Sequence, residues 1–309
     1  MLSKISTFAL LTLICLSLSS LGDNNDFSIS VENNIPTNFS KFFHFVMAGS
    51  TIQLKAYADK LDNIALSADK GKIVKLQIGK WEYSPPTNTG NYKLKFVDTE
   101  NNKQIVLTIF VMEPIPADGE YLNKYRIGKY PEEDFKGKPK YKKPKGLIEV
   151  TKENKDLYIS PHFQLKQFLC KQKSGWPKYL IVDPNLILKL EYLLAKLQEK
   201  KPDINTLFIM SGYRTPFYNK AIGNVKFSRH VFGDAADVYV DVDLDGVIDD
   251  LNQDGKFDMS DAMVIHSAIS ELDMQVENKH LIGGVGKYKK NAAHTYFIHV
   301  DTRGYKASW

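Results

Sequence analysis

The sequence contains little cysteine. Its two cysteines are Cys15 and Cys170, and removal of an N-terminal segment that holds Cys15 would leave one thiol, which excludes a disulfide framework within the chain. Cys170 stands in an apolar stretch, which indicates a small buried side chain rather than a nucleophile. A lipid anchor on Cys15 is disfavoured, because lipoprotein cleavage needs a small residue before the cysteine and Ile14 stands there.

Long hydrophobic runs are also scarce. The apolar run over residues 8–18 follows Lys4 and precedes small residues, which predicts a secretory signal peptide over residues 1–22, cut after Ser20 or Gly22. No other segment approaches the roughly 20 apolar residues that a membrane span requires. The sequence therefore predicts a protein secreted across the inner membrane, periplasmic or cell-wall associated, without stable membrane insertion.

Marks of a nucleic-acid-binding protein are absent as well. The net charge of +5 is mild and spread along the chain, and no basic-aromatic motif or zinc-finger spacing accompanies it. A basic excess of this size suits an anionic partner such as the cell wall. The 309 residues, of which 43% are hydrophobic and 25% charged, can form two globular domains.

The N-terminal half divides into two regions. Residues 23–113 contain short runs of alternating apolar and polar residues between turn-rich stretches, which predicts a small all-β sandwich of immunoglobulin-like type. It carries no catalytic cluster, so we expect an interaction module with an unknown protein partner, or a structural role. Residues 114–157 are rich in Lys, Pro and Gly, which predicts a linker that lies over the surface.

Residues 158–309 alternate between helical and strand patterns. Asp183 and Pro184 predict the N-terminus of an amphipathic helix, and Ser260 predicts the cap of another. Apolar and β-branched runs over residues 206–210, 236–242 and 296–300 predict strands. The class is therefore an α+β domain with a mostly antiparallel sheet.

Three residues of this domain have the chemistry of a metal site. His230 and Asp237 are separated by Gly233 and small residues, so a tight turn can bring both side chains to one point. His299 and Asp301 would share one face of a strand. Two imidazoles and one carboxylate are a common ligand set for a catalytic zinc, with the fourth position left for water. Spacing alone is equally compatible with ordinary, partly buried histidines.

The sequence motifs around these residues resemble those of a known family. Four stretches carry the resemblance, over residues 210–216, 228–237, 283–286 and 297–301. Together they resemble the D-alanyl-D-alanine carboxypeptidase and endopeptidase family of zinc enzymes, peptidase family M15, across roughly residues 158–309. In the Ser-x-His-x-x-Gly-x-Ala-x-Asp core of that family, Ser228, His230, Gly233, Ala235 and Asp237 occupy the matching positions.

The resemblance implies one catalytic zinc bound by His230, Asp237 and His299. It implies hydrolysis of D-alanyl bonds in peptidoglycan stem peptides, by a carboxypeptidase or an endopeptidase. It also places Arg214 at the substrate cleft, where a guanidinium suits a carboxylate or an oxyanion. A structural pair between Arg214 and a carboxylate of the following strand is the alternative. From the same stretches, Tyr213 and Ser228 are expected to bind substrate.

The sequence departs from the family where a general base is expected. Many members carry an acid three positions before the last histidine ligand, or a histidine two positions before it, whereas this chain has Tyr296 and Phe297. The candidates for the base are therefore Asp301 and His294. Alternatively, Asp301 orients His299 and His294 is an exposed loop histidine. The His-x-Asp-Thr-Arg-Gly ending resembles a sub-branch in which the aspartate belongs to the active site.

An acidic insertion over residues 241–261 matches calcium-loop spacing twice, with oxygen ligands at positions 1, 3, 5 and 9 and glycine at position 6. The candidate ligands are Asp241, Asp243, Asp245, Asp249, Asp250, Asn252, Asp254, Asp258 and Asp261. Without a cation these carboxylates would repel one another, so one or two structural calcium ions are predicted. The first loop ends inside the second, so two complete loops cannot both form. A solvated acidic loop is the alternative.

Two further functions compete with the peptidase. A non-catalytic, metal-stabilised cell-wall-binding protein would explain the missing acid at position 296. A calcium-regulated surface protein of the dockerin kind fits less well, because a dockerin carries two separated loops, each with its own helix.

Overall fold

The computed structural model describes residues 24–117, 119–133, 135 and 137–309. The predicted signal peptide over residues 1–22 lies outside them. Within the described part of the chain, no helix has both the length and the apolar character that crossing a membrane requires.

Between residues 24 and 114, the described part of the N-terminal region consists of strands and of a 3-10 turn at Leu61–Asn63. Its strands are β1 (Asn24–Val31), β2 (Thr37–Phe39), β3 (Lys41–Met47), β4 (Ile52–Tyr57), β5 (Ile64–Ala68), β6 (Lys72–Gln77), β7 (Lys80–Ser84), β8 (Gly90–Asp98) and β9 (Lys103–Pro114). One sheet has the order β2-β1-β4-β7-β6, and β5, β8 and β9 belong to another. The two sheets share one apolar core, in which the rings of Trp81 and Phe96 are 5.8 Å apart. Its immunoglobulin-like type stays a prediction.

Alternating runs over residues 27–31, 51–58, 74–78, 92–97 and 104–111 predict strands that correspond to β1, β4, β6, β8 and β9, and the other four strands were not predicted. Of these, β3 pairs in parallel with β9. Its sequence, KFFHFVM, does not alternate cleanly between apolar and polar residues, because it carries the polar residue His44 between phenylalanines. The period-two pattern that identified the other strands is therefore weak there.

Residues 114–157 are not simply a linker over the surface. They contain β10 (Tyr121–Leu122), β11 (Tyr125–Arg126), a 3-10 turn at Pro139–Tyr141, and β12 (Gly146–Val150). The last strand pairs with β9 on one side and with β13 (Lys178–Leu180) on the other. Leu147, Ile148 and Val150 are fully buried. The surface-linker prediction is wrong for this part, because a short apolar run inside the Lys- and Pro-rich segment extends the sheet.

The C-terminal region combines helices with a mostly antiparallel sheet, as the sequence predicted. Its helices are α1 (Pro184–Gln198), α2 (Pro216–Ala221), α3 (Arg229–Phe232) and α4 (Met259–Met274), with 3-10 turns at Leu165–Phe168 and Val276–Leu281. Its strands are β14 (Phe208–Ser211), β15 (Ala235–Tyr239), β16 (Gly284–Tyr288), β17 (Phe297–Asp301) and β18 (Ala307–Ser308). The sheet has the order β14-β15-β17-β16-β18, and its β16–β18 pair is parallel.

Local capping explains where the two long helices begin. The Asp183 carboxylate accepts the amide of Asn185 at 2.9 Å, as predicted for the start of α1. The cap of α4 is Asp258 rather than the predicted Ser260. Asp258 accepts the amide of Ser260, and Asp261 accepts the amide of Asp258, so the two acids form a reciprocal capping box. Both helices bury apolar faces in the core beneath the C-terminal sheet.

Candidate metal centre

Two of the predicted ligands face each other across an antiparallel pair of strands. Asp237 of β15 and His299 of β17 are directly opposite in the strand register. Side chains at such positions lie on the same face of the sheet, with Cβ atoms about 4.5–5.5 Å apart. Asp237 Oδ1 and His299 Nδ1 are 2.9 Å apart. Strand pairing therefore brings together two residues that are distant in sequence.

His230 reaches the same point from α3. The helix ends at Gly233, whose φ of 77° lies in the left-handed region. A Cβ at this position would lie 2.3 Å from the carbonyl oxygen of Ile181, so only glycine fits. The turn returns the chain into β15, and His230 Nε2 lies 3.2 Å from both Asp237 Oδ1 and His299 Nδ1.

The other ring nitrogens determine which atoms face this point. His230 Nδ1 lies 2.7 Å from the carbonyl oxygen of Gly212. A carbonyl can only accept, so Nδ1 donates and Nε2 is left with a lone pair. His299 Nε2 donates to Asp301 Oδ2 at 3.1 Å, which turns Nδ1 toward the centre. An outer acceptor that orients each ligating imidazole is typical of metal-binding histidines.

The three donor atoms fit a zinc ion. One ligand atom each from His230, Asp237 and His299 lie within 4.8 Å of one another. Around a tetrahedral zinc with bonds of about 2.0–2.2 Å, two ligand atoms stand roughly 3.3–3.6 Å apart. The observed separations of 2.9 and 3.2 Å are slightly shorter, so a small outward movement of the side chains would admit the ion.

The charges at this point favour a cation. Burial would raise the pKa of Asp237, but His230 and His299 hold that pKa well below its usual range. Burial lowers the pKa of His230. Burial also opposes protonation of His299, yet hydrogen bonds to Asp237 and Asp301 raise the pKa of His299 overall. A positive charge, either a proton on His299 or a metal ion, is therefore stabilised among the three side chains.

Arg214 holds the second oxygen of Asp237. Its Nη2 donates to Asp237 Oδ2, and its Nε donates to Ser211 Oγ at 2.8 Å. This arrangement leaves Asp237 Oδ1 free for a metal. It corresponds to the predicted alternative, a structural pair with a carboxylate of the following strand. Arg214 also lines the cleft over the ligands, so its contact with substrate stays a prediction.

Asp301 lies behind His299, on the side of the imidazole that faces away from the metal point. Its fully buried carboxylate accepts hydrogen bonds from His299 Nε2, from the Gly284 amide at 2.8 Å and from the Arg303 guanidinium. Burial alone would raise the pKa of Asp301, but His299 and Arg303 hold it well below its usual range. This geometry contradicts the general-base prediction, because the imidazole separates Asp301 from the metal point. It supports the alternative in which Asp301 orients His299.

His294 is half-buried and lines the cleft just before β17. Its Nδ1 donates to the carbonyl oxygen of Thr295 at 2.8 Å, and its Nε2 accepts from Asn291 Nδ2 at 2.8 Å. The edge of its ring packs on Phe297, with centroids 4.8 Å apart. The loop therefore holds the imidazole through both of its ring nitrogens, and the prediction of His294 as the base stays open.

The two predicted substrate contacts occupy different environments. Ser228, directly before α3, lines the cleft. Tyr213 is only 2% exposed, and its hydroxyl lies 2.7 Å from that of Tyr130 in the core. Successive side chains of an extended segment point to opposite sides, so the placement of Arg214 in the cleft turns Tyr213 inward. The substrate-binding prediction for Tyr213 is wrong, because its hydroxyl is already paired inside the protein.

A cleft of 740 Å³ opens over the three ligands. Aromatic side chains are prominent in its lining, among them Tyr288, Phe297, Tyr305 and Trp309. The roles of Arg303 and Trp309 were not predicted from the sequence. Arg303 follows Asp301 closely enough to suggest a pair, whereas no sequence pattern connects Trp309 with the ligands.

The acidic insertion forms two turns of the expected kind. Asp241 and Asp250 each accept the amides of the residues four and five positions later, at 3.0 and 3.1 Å in the first turn and at 3.2 and 2.9 Å in the second. Gly246 and Gly255 stand at the sixth positions, with φ of 85° and 79°. Both turns form, although the second begins inside the span of the first.

The remaining predicted calcium ligands are placed differently from one another. Carboxylate oxygens of Asp241, Asp243 and Asp245 lie within 4.8 Å of one another. Asp261 is fully buried and accepts the amides of Leu251 and Asp258, each at 2.8 Å. Hydrogen bonds to neighbouring loop or helix groups are made by Asp249, Asn252, Asp254 and Asp258. Calcium binding stays a prediction.

Comparison with known families adds one finding. Residues 161–259 match the family model described as Peptidase M15. The match includes His230 and Asp237 and ends before His299. Strand pairing places His299 directly opposite the matched Asp237. No curated protein matches the chain.

Proposed function

The segment over residues 161–259 belongs to the peptidase M15 family, and from this premise we propose that the protein is a zinc metallopeptidase of the cell wall. Its substrate would be the peptidoglycan stem peptide, in which it hydrolyses D-alanyl bonds as a carboxypeptidase or an endopeptidase. The observation that carries the proposal is the convergence of His230 Nε2, His299 Nδ1 and Asp237 Oδ1 at separations of 2.9 and 3.2 Å beneath a cleft.

The side chains around the metal point have separate roles. When bound, zinc would lower the pKa of a water molecule toward about 7 and polarise the scissile carbonyl. Gly212 and Asp301 hold the two imidazoles in position, and Arg214 fixes the carboxylate of Asp237. These contacts reduce the reorganisation needed on metal binding, since each ligand already has one orientation.

His294 is the residue that we propose as general base. Unlike Asp301, it lines the cleft, where its Nε2 accepts a hydrogen bond from Asn291. A neutral imidazole can take a proton from water and return it to the leaving amine near neutral pH. The partner of its Nε2 in the structure, Asn291, is exposed, so substrate can displace this hydrogen bond at little cost.

The decisive experiment is digestion of purified sacculi by the zinc-loaded protein, with mass spectrometry of the muropeptides. We expect peptides shortened by D-alanine or opened cross-links, loss of activity on chelation, recovery with zinc, and no activity in His230→Ala. A protein that carries no zinc and leaves the muropeptide profile unchanged would contradict the proposal.

One observation favours the second candidate, a non-catalytic, metal-stabilised wall-binding protein. Among the described residues that line the cleft, Asp237 is the sole carboxylate, and it is engaged by Arg214. Binding to sacculi that survives zinc removal and creates no new peptide termini would support this candidate.

A further inference from the structure

Trp309 packs directly on the ligand His299. The two ring centroids are 5.1 Å apart, with the planes tilted by 46°. The guanidinium of Arg303 lies 5.1 Å from the centroid of the same indole. Arg303 binds the carboxylate of Asp301, which accepts from His299 Nε2. Trp309 therefore contacts the first and the last of the three linked groups His299, Asp301 and Arg303.

The sheet holds the indole in this position. Trp309 N donates to the carbonyl oxygen of Val285 at 3.3 Å, and Trp309 O accepts from the amide of Lys287 at 3.0 Å. The indole Nε1 donates to Tyr288 Oη at 2.8 Å. Two of these hydrogen bonds fix the backbone of Trp309 and the third fixes its ring. Together they hold the indole against His299.

The space for the ring comes from Gly286. This residue lies opposite His299 in the register of β16 and β17. A Cβ at Gly286 would lie 2.5 Å from an indole carbon of Trp309. The missing side chain beside the ligand is therefore filled by the indole, and any larger residue there would displace it.

This packing has a consequence for the metal ligand. The hydrogen bond from His299 Nε2 to Asp301 restrains one edge of the imidazole, and the indole lies against the same ring. Both contacts oppose a rotation that would take Nδ1 away from the metal point. The Asp301 carboxylate is fully buried, so its charge interaction with Arg303 is stronger than it would be in water. Trp309 is 46% exposed, contacts Arg303 as well as His299, and lines the cleft.

We propose that Trp309 is a positioning residue for the zinc ligand His299. It donates no ligand atom and acts by holding the imidazole and the guanidinium of Arg303, which pairs with Asp301. The proposal rests on zinc binding at His230, Asp237 and His299, as proposed above. Because it concerns ligand orientation, it predicts a change in metal affinity and in coordination geometry.

The test compares zinc affinity in W309A, W309F and the control W176A. Trp176 is also partly exposed and packs on a lysine, Lys178, at 5.6 Å, but it does not line the cleft. Competition with a chromophoric chelator should show zinc bound about 10–100-fold more weakly in W309A, the usual cost of losing an outer partner of a metal ligand. W309F should recover most of the affinity, and W176A should match wild type.

The visible absorption spectrum of the cobalt-substituted protein gives a second readout, because it reports ligand geometry. We expect an altered spectrum in W309A and a nearly wild-type spectrum in W309F. G286A tests the same contact from the other side, and it should weaken zinc binding because the added methyl displaces the intact indole. If W309A does not fold, W309F and G286A carry the test.

The outcomes separate the two proposals. Zinc affinity and cobalt spectra that are unchanged in W309A and G286A would overturn the role of Trp309 and leave the zinc peptidase intact. Wild-type protein that binds no zinc would overturn both. Equal weakening in W309A and W176A would also overturn the positioning role, because the loss would then reflect general destabilisation.

Discussion

The two groups of side chains in the C-terminal region that could hold a metal ion are built in opposite ways. The ligands His230, Asp237 and His299 come from α3, β15 and β17 and are buried. The carboxylates of the acidic insertion over residues 241–261 come from one short segment, and Asp243 and Asp245 among them are exposed.

The difference lies in what holds each group in place. Each buried ligand is oriented by a partner from elsewhere in the fold, namely Gly212, Arg214 or Asp301. In the acidic insertion, Asp241 and Asp250 accept amides from their own turns. The first group is thus pre-organised by the tertiary structure, whereas Asp241 and Asp250 in the second are held by backbone amides of their own turns. Matched substitutions in the two groups should therefore differ in their effects.

The largest difference is expected between D237N and D245N. Both changes replace a carboxylate by an amide of the same shape. D237N removes the only anionic ligand and places an amide against Arg214, so zinc affinity should fall by more than about 100-fold and peptidase activity should disappear. D245N should leave zinc affinity unchanged. Zinc competition assays and muropeptide digestion measure both effects.

Stability provides the control for this comparison. Breaking the buried pair with Arg214 costs about 3–5 kcal/mol of unfolding free energy, so the thermal melt of D237N should be recorded with its zinc affinity. H230A, which leaves that pair intact, must also lose zinc. Retention of zinc affinity in both variants would contradict the assigned ligand set.

A smaller effect should distinguish the two candidates for the base. D301N should weaken zinc binding by about 10–100-fold, because Asp301 orients His299, and turnover should largely return at saturating zinc. H294A should bind zinc normally and lose about 10²–10⁴-fold in kcat, the usual contribution of a general base. The opposite pattern, with D301N inactive at full zinc occupancy and H294A active, would restore Asp301 as the base.

Much of this site could be predicted from the sequence, because its chemistry is carried by motifs. Spacing alone left His230, Asp237 and His299 equally compatible with ordinary buried residues, and the resemblance of the surrounding motifs to the M15 family named them as the ligand set. The sequence could not decide whether Asp301 is the general base or the residue that orients His299. A position on the same strand face does not show whether the carboxylate lies on the metal side of the imidazole or on the opposite side. Tyr213 was misplaced because it follows Gly212 and precedes Arg214 in the same motif, yet it points the other way.

The parts of the fold that escaped prediction depend on contacts between distant segments. β12 lies in a stretch whose composition is dominated by Lys and Pro, and only its pairing with β9 and β13 makes it a strand. Trp309 contacts His299 through the parallel pairing of β18 with β16. Neither pairing has a local signature, since parallel and edge pairings are set by tertiary packing rather than by residue periodicity.

The smallest effect on activity is expected in the acidic insertion. Calcium added to zinc-loaded protein should raise the free energy of unfolding by about 2.7 kcal/mol at a hundredfold excess over Kd, and D241N should abolish this increase, since Asp241 stands at the first position of the loop. Peptidase activity of D241N at saturating zinc should change by less than about twofold, because the insertion contributes no zinc ligand. Thermal melts across a calcium titration measure the first effect. A wild-type protein without any calcium-dependent shift would mean that backbone amides alone hold the turns, and a large loss of zinc affinity in D241N would erase the contrast between the two groups.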